Sequence, residues 1–284
     1  MTAILHTLTI LDFRFWILDL LMQTTTFSSV YGPVSSWRYG RSLGIDPIGQ
    51  VSVCSFNCVY CQLGEIEQKI CDRAIYVPTE KILNDLQAFA PWEVDIITLS
   101  GSGEPTLALN LREILTSIKQ CTGCPILVLT NGTLLGDSDV RKALMLADKV
   151  SVKLDASSPD QLRRINRPVA GINLADIQAR IQRFGAEFSG ELAIQTMVLT
   201  PWDAKVQADY IHIIQAIAPD EIQLNTPKRP KPITRQLEGR GNHTTEQEFA
   251  YPVQVLKCVS ASVIQDLATL IHDTTGIFVR FSPV

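Results

Sequence analysis

Three cysteines, Cys54, Cys58 and Cys61, stand at C-x3-C-x2-C spacing in the run Cys54-Ser55-Phe56-Asn57-Cys58-Val59-Tyr60-Cys61. Thiolates on so short a loop can converge on one face of a metal centre. Soft sulfur ligands favour iron–sulfur clusters, zinc or Cu(I). A [4Fe-4S] cube normally takes four cysteines, one per iron, so three leave one iron open to another ligand. A structural zinc site wants four ligands in tetrahedral geometry, and Cys71 is the candidate fourth. Free cysteines also pack as small hydrophobes. Taken alone, the loop leaves cluster, zinc and core readings open.

The totals narrow the setting. The chain has 284 residues, 46% hydrophobic and 19% charged, enough for one large domain or one domain with a small annex. A formal net charge of -4 gives no global basic field, so strong nonspecific nucleic-acid binding is not implied. Seven cysteines are too few for a disulfide scaffold at this length, and an odd count with three clustered suits metal ligation in a reducing cytoplasm. Cys121 and Cys124 form a C-x2-C pair that cannot close a metal site without other ligands; it reads as coincidental. Cys258 reads as core.

The elements that must position the loop follow from periodicity. Residues 3–22 are apolar but carry His6, Asp12, Arg14 and Asp19, a poor match to a membrane span, and lack the basic start and small-residue cleavage site of a signal peptide; an amphipathic helix is one reading, an over-extended start another. Residues 1–29 are therefore expected to be an N-terminal extension, with Met22 the natural start. Val30 to Gln50 is punctuated by glycine and proline and is expected to be loop and turn with short extended pieces. Its cations Arg38 and Arg41 either sit in solvent or touch an anionic group.

Beyond the cysteine loop, helix and strand alternate. Helical spacing covers Thr79–Ala90, Leu109–Gln120, Asp137–Ala147, Asn173–Phe188 and Ala204–Ile217. Short apolar runs at Val94–Ser100, Pro125–Thr130, Lys149–Leu154, Leu192–Leu199 and Glu221–Asn225 read as buried strands, with Val51–Val53 counted as the first. Such alternation implies right-handed crossovers and a parallel sheet with helices outside. From Gly239 the pattern changes. A polar linker, Tyr251–Cys258, a helix at Ser262–Asp273 and a strand at Gly276–Phe281 read as a small α/β annex over 239–284.

In parallel sheets flanked by helices the chemistry sits at the carboxyl ends of the strands. One end carries Ser100-Gly101-Ser102-Gly103-Glu104-Pro105-Thr106. Small residues there let backbone approach a ligand, and a carboxylate with exposed carbonyls suits an ammonium group. A glycine-rich turn before a proline-started helix is the plainer reading. Asn131 and Gly132 in Thr130–Thr133 suit a tight turn. Lys153 and Asp155 share one side of their strand, either as ligand contacts or as a paired couple at the barrel mouth. Asn225 is followed by Lys228, Arg229, Lys231, Arg235 and Arg240, read as phosphate contacts or as a solvated loop. Arg163, Arg164 and Arg167, ahead of Pro168, read most plainly as solvated cations at a helix end and loop; the sharper reading has Arg167 reach into the site.

The cysteine loop, with an aromatic residue, Tyr60, just before its last cysteine, resembles the radical S-adenosylmethionine (SAM) superfamily. The text YGP, then GRSLG, then CVYCQLG at Cys58–Gly64 resembles one branch of it: uncharacterised Fe–S oxidoreductases related to tRNA wyosine synthetases. The resemblance covers most of the chain from about Val30. It implies an α/β fold, a partial (β/α)6 TIM-like barrel over 30–238 with a small C-terminal α/β extension. It implies a [4Fe-4S] cluster on Cys54, Cys58 and Cys61 whose open iron chelates SAM. Reductive cleavage would then give methionine and a 5′-deoxyadenosyl radical that abstracts hydrogen from a substrate. Ser102, Gly103 and Glu104 match the family's GGE motif, with Ser102 in place of the first glycine. Tyr60, Asn131, Lys153 and Asp155 are the other residues implied to face SAM, and Asn225 and Arg229 to face substrate. RNA, a small molecule or a protein side chain all fit as substrate. A flavodoxin or ferredoxin would supply the electron, in the cytoplasm and away from any membrane. The rival is a non-catalytic protein with structural zinc or an Fe–S centre for electron transfer or binding.

Overall fold

Short apolar runs at Ile96–Leu99, Ile126–Thr130, Lys149–Lys153, Glu191–Met197 and Glu221–Asn225 form the middle of one sheet, buried on both faces as parallel strands covered by helices must be. The computed structural model describes residues 27–241 and 248–282; residues 1–26 of the expected N-terminal extension and part of the polar linker lie outside them. The sheet has eight strands: β1 (Val30–Ser36), β2 (Gly40–Ile45), β5 (Ile96–Leu99), β6 (Ile126–Thr130), β7 (Lys149–Lys153), β8 (Glu191–Met197), β9 (Glu221–Asn225) and β12 (Phe278–Phe281), in that spatial order. Only β1 runs antiparallel to its neighbour; every other pairing is parallel. The order begins at β1 and ends at β12 without closing, so the curled sheet is an open partial barrel.

Helices α1 (Thr79–Gln87), α2 (Leu111–Thr122), α3 (Ser138–Leu144), α4 (Pro159–Ile165), α5 (Leu174–Glu187), α6 (Ala204–Ile217) and α7 (Ala261–Thr275) form the connections. Their apolar stripes pack on the sheet: Ile114, Leu115 and Ile118 of α2 and Ile177, Ile181 and Phe184 of α5 are all buried. Side-chain caps start several of them, as at Asn173, Asp203 and Ser260. No helix among the described residues is long and apolar enough to cross a membrane.

The structure moves the first barrel strand. It is Gly40–Ile45, not Val51–Val53, and it forms a hairpin with β1 where loop and turn were expected. Gly44 looks like turn punctuation in sequence, yet it sits opposite Tyr31 in the ladder, and a Cβ there would run into the Tyr31 ring. The aromatic covers the glycine and keeps the strand. Val53–Cys54 (β3) pairs instead with Gln68–Lys69 (β4), a two-stranded ribbon at the root of the cysteine loop. Residues 159–165, expected as a helix end and loop, are a helix of their own, capped by Ser158 with Pro159 in its first turn.

The C-terminal helix and strand prolong the same sheet. β12 pairs in parallel with β9, Phe278 opposite Glu221, so the extension is continuous with the barrel. A small ribbon of Lys231–Pro232 (β10) and Val253–Gln254 (β11) precedes it. The turn of the β1–β2 hairpin reaches across to these late strands. Gln223 Nε2 donates to the Tyr39 hydroxyl at 2.6 Å, and Arg280 donates to the Arg38 carbonyl at 2.9 Å. The turn thereby ties the first strand of the open barrel to its last two.

Candidate active site

The cysteine loop is held at both ends by the barrel. Val53 N donates to the Ser102 carbonyl and Glu104 N to the Val53 carbonyl, each at 3.0 Å, which lays the Ser102–Glu104 segment alongside β3. Gly103 has φ +156, and a Cβ there would collide with the Val53 carbonyl. Only glycine permits so close an approach. The loop's middle hangs from the segment after α4: Asn57 N donates to the Asn166 carbonyl and Val59 N to the Ile165 carbonyl, both at 2.9 Å.

Cys54, Cys58 and Cys61 thus edge one cavity of about 320 Å³ inside the barrel mouth. All three thiols are free. Burial pushes the Cys54 and Cys61 thiols up, and burial with the nearby Asp155 charge lifts Cys58 to about 12. By themselves they stay neutral, and a cationic centre is what would deprotonate them. The surroundings already offer donors to sulfur. Phe56 N and Asn131 Nδ2 lie 3.4 and 3.7 Å from Cys54 Sγ, and Asn166 Nδ2 lies 3.4 Å from Cys58 Sγ. Among the described residues, no three His, Cys, Asp or Glu groups close on one point as a single metal ion requires. Sulfurs spaced around a cavity suit the corners of a larger cluster. Cys71 does not line the cavity.

Glu104, close enough to Cys54 for its charge to raise that thiol's pKa, reaches the same cavity while almost wholly buried. Its Oε1 accepts from Thr106 N, Thr106 Oγ1 and Thr130 Oγ1, and its Oε2 accepts from Asn131 N at 2.7 Å. Burial raises its pKa while these four hydrogen bonds pull it back. Among the described residues Oε2 accepts only the hydrogen bond from Asn131 N, and a carboxylate oxygen has two lone pairs, so one acceptor position on Oε2 is left over. Across the cavity Gln195 carries a buried amide nitrogen with no partner among the described residues. An acceptor left open, a donor left open and three sulfurs make a cavity suited to a polar ligand beside a cluster.

A model of the radical SAM superfamily matches residues 51–217. The chain belongs to that superfamily. A UPF0026 protein of Synechocystis sp. is 62% identical over 262 residues, covering 92% of this chain and 99% of its own length. A radical SAM methyltransferase from Sphaerobacter thermophilus shares the fold with a TM-score of 0.55 at 15% identity; the match covers 86% of this chain and 67% of that one. Native anSMEcpe with bound AdoMet gives 0.53 at 16% identity, covering 84% of this chain and 63% of its own. Members of the radical SAM superfamily are enzymes, which sets aside the non-catalytic reading.

Within the radical SAM barrel, ten of the twelve expected site residues line the cavity: Cys54, Cys58, Cys61, Tyr60, Gly103, Glu104, Asn131, Lys153, Asn225 and Arg229. Ser102 and Asp155 lie behind it. Ser102 is fully buried; its N–H donates to Asp46 Oδ2 at 3.0 Å and its Oγ accepts from Arg235 at 2.8 Å. Asp155 is the anchor of the opposite wall. It accepts from the Tyr60 hydroxyl, from Asn166 Nδ2 and Met197 N, each of these two at 2.7 Å, and pairs with Lys153 at 3.4 Å. The Lys153 ammonium also sits 4.7 Å from the centre of the Tyr60 ring. The couple is therefore paired, with Lys153 at the cavity and Asp155 holding it.

The basic stretch after Asn225 is neither free in solvent nor wholly turned to a ligand. Lys231 faces Glu65 at 3.8 Å, Arg235 faces Glu67 at 3.5 Å, and Arg240 pairs with Asp46 at 2.9 Å. Gly239 packs directly on the Gln62 carbonyl. Residues 231–240 form a strap laced onto the cysteine loop. Arg163 and Arg164 pair with Asp160, and Arg167 is exposed, as the plainer reading had it. Cys121 is exposed on α2, and Cys124 Sγ lies 3.8 Å from the Trp92 carbonyl. Three residues that matter, Asp46, Asn166 and Gln195, carry no signal in spacing. Asn166 stands beside the arginines that drew attention.

Proposed function

We propose that Cys54, Cys58 and Cys61 hold a [4Fe-4S] cluster in this cavity with S-adenosylmethionine beside it, and that the protein cleaves SAM reductively to begin a radical reaction on a bound substrate. The observation that carries this reading is the convergence of three thiols, the Glu104 carboxylate and the Lys153 ammonium on one cavity. Held by Cys54, Cys58 and Cys61, such a cluster would supply the one electron that splits SAM into methionine and a 5′-deoxyadenosyl radical, which would take hydrogen from substrate.

The chain's own residues do the rest. The three cysteines bind iron as thiolates, and the N–H groups of Phe56, Asn131 and Asn166 stabilise the charge on sulfur. Glu104 offers its remaining acceptor position, together with backbone carbonyls near Gly103, to the ammonium of the methionine moiety. Lys153, aimed by Asp155 and the Tyr60 ring, offers its ammonium to the carboxylate. Gln195 offers an amide N–H to the nucleoside. Phe56, Leu63, Ile66 and Leu127 line the cavity and limit water around the radical. The electron comes from a flavodoxin or ferredoxin, in a cytoplasm that keeps the thiols reduced. An RNA substrate has weaker support, because Lys231, Arg235 and Arg240 are committed to carboxylates of the loop and its flank.

The test is anaerobic. The protein is reconstituted with iron and sulfide, reduced and mixed with SAM. Formation of 5′-deoxyadenosine and methionine that depends on each of the three cysteines is the expected result. Zinc bound in place of iron, or an intact cluster that leaves SAM whole, would sink the proposal.

A further inference from the structure

A protein that supplies the electron can come no nearer to the cluster than the outer wall of the cysteine loop, and electron transfer weakens steeply with distance. Behind Cys58 that wall is thin. Asn166, with its Nδ2 3.4 Å from Cys58 Sγ, is followed at once by the exposed Arg167. The same segment is fixed to the loop by its backbone. Val59 N donates to the Ile165 carbonyl at 2.9 Å, and Asn57 N lies 3.3 Å from the Arg167 carbonyl.

The face outside this wall is positive. Arg163 and Arg164 of α4 have side chains 67% and 77% exposed, and both lean on one carboxylate, Asp160. Arg167 makes no ion pair among the described residues. The patch continues through a chain of contacts. Asn57 Nδ2 donates to Glu65 at 2.9 Å, and Glu65 pairs with Lys69 at 3.6 Å and faces Lys231 at 3.8 Å. Over residues 65–69, 160–167 and 231–235, the segments around the loop, six cations meet three carboxylates, on a chain whose net charge is -4.

We infer that the face carrying Arg163, Arg164 and Arg167 is the docking surface for a small acidic electron-carrier protein, which delivers its electron past Asn166 to the cluster at Cys58. The inference rests on the cluster proposed above. One electron leaves the reduced carrier, which is thereby oxidised, and enters the cluster; no proton moves and no bond is made. The chain as a whole repels an acidic carrier and this face attracts it, so the field both speeds the encounter and orients it. Redox encounters use small interfaces, which exposed arginines can supply without a built pocket. The surplus of cations is confined to the surroundings of the loop, which favours a compact acidic partner over a polynucleotide that would need a longer basic track.

The experiment pairs the full-length protein with a dye-labelled acidic flavodoxin at low and high ionic strength. Fluorescence anisotropy reads binding, and stopped flow reads reduction of the reconstituted cluster by reduced flavodoxin. One variant combines Arg163→Gln, Arg164→Gln and Arg167→Asn, asparagine being chosen because residue 167 sits in the left-handed region at φ +47. A control combines Lys119→Gln, Lys142→Gln and Lys149→Gln, an equal change of charge toward the amino ends of the strands. At low ionic strength the arginine variant should bind flavodoxin more weakly and be reduced about tenfold more slowly, with a flatter salt dependence, while the control behaves as the parent. Reduced methyl viologen, small and itself cationic, should reduce the cluster equally fast in all three proteins. Arg164→Gln alone should show part of the loss, which keeps the test decisive where the change at 167 disturbs the loop. Equal losses in both triple variants, a parent rate independent of salt, or a matching slowdown with methyl viologen would overturn the inference. A ribo-oligonucleotide that displaces flavodoxin more effectively than unlabelled flavodoxin does would overturn the assignment to a protein carrier. Anisotropy needs neither iron nor SAM, so a failure of SAM cleavage leaves the docking result standing, and a failure of docking leaves viologen-driven cleavage intact.

Discussion

Asn166 Nδ2 lies 3.4 Å from Cys58 Sγ and 2.7 Å from Asp155 Oδ2, so one amide group joins a cysteine of the loop to the buried carboxylate that also anchors Tyr60 and Lys153. Hydrogen bonds to cluster sulfurs favour the reduced, more negative state and raise its potential. Asn166→Ala should therefore shift the cluster's reduction potential downward and cost about 10- to 100-fold in iron affinity or SAM cleavage, the usual effect of removing a supporting residue. An EPR-monitored redox titration checks the sign. An unchanged potential would reduce Asn166 to a packing residue.

Cys58→Ala removes a ligand rather than a support. SAM cleavage should fall by more than about a hundredfold, beyond the range for supporting residues. Circular dichroism should stay as in the parent, since Cys58 packs only at the edge of the barrel core and alanine keeps its Cβ. Iron analysis and the 5′-deoxyadenosine assay read the two effects separately. Full iron content in the variant would exclude Cys58 as a ligand.

Much of the barrel was legible because its strands are short buried runs and its helices carry one apolar stripe, both local patterns. The parallel run from Ile96–Leu99 to Glu221–Asn225 follows them within a few residues. What escaped is set by partners far away in sequence. Gly40–Ile45 looks like a turn until Tyr31 lies over Gly44. Lys231, Arg235 and Arg240 look like a ligand-facing run until Glu65, Glu67 and Asp46 meet them. The cysteine loop and the Ser102–Glu104 turn stood out through spacing and residue type. Asp46, Asn166 and Gln195 did not, because an isolated polar residue acquires a role only from the groups the fold places around it.

The Tyr31–Gly44 contact makes a direct prediction for the first strand. Gly44→Ala puts a methyl group where the Tyr31 ring lies, and that ring is held by its hydroxyl's 2.6 Å hydrogen bond to Ser100. Overpacking of this kind costs about 1–3 kcal/mol. A lower urea midpoint with unchanged slope is expected. Tyr31→Ala combined with Gly44→Ala should recover part of the loss from Gly44→Ala relative to Tyr31→Ala alone, because the clash is gone; additive losses would show that the ring is not the obstacle.

Arg240 and Asp46 tie the strap to the barrel from positions almost closed to solvent, with side chains 9% and 0% exposed. Asp46 also takes the N–H groups of Ile48, Gly49 and Ser102. Removing one partner of a buried pair strands the other charge, so Arg240→Gln should destabilise the protein by about 3 kcal/mol. Added salt should change that loss little, because a pair this deep is poorly screened. Urea unfolding at low and high ionic strength tests both statements; a loss that disappears with salt would mean the pair is open to solvent.

Asp85 supplies the clearest pH signature. Burial by itself would raise its pKa, but the Ser29 N–H and hydroxyl, each 2.7 Å from Oδ2, and the Lys81 ammonium at 3.0 Å outweigh burial and hold it below the usual aspartate value. A carboxylate whose folded pKa is depressed stabilises the protein above its unfolded pKa of about 3.9, and that contribution fades as pH falls through the folded value. The charged hydrogen bonds are worth about 1–2 kcal/mol at neutral pH. Asp85→Asn should therefore be less stable than the parent at pH 7, and the gap should narrow below about pH 4. Urea midpoints across the acid range give the difference curve directly. A gap that stays constant with pH would mean that Asp85 acts through packing of Ser29 on α1 and not through its charge.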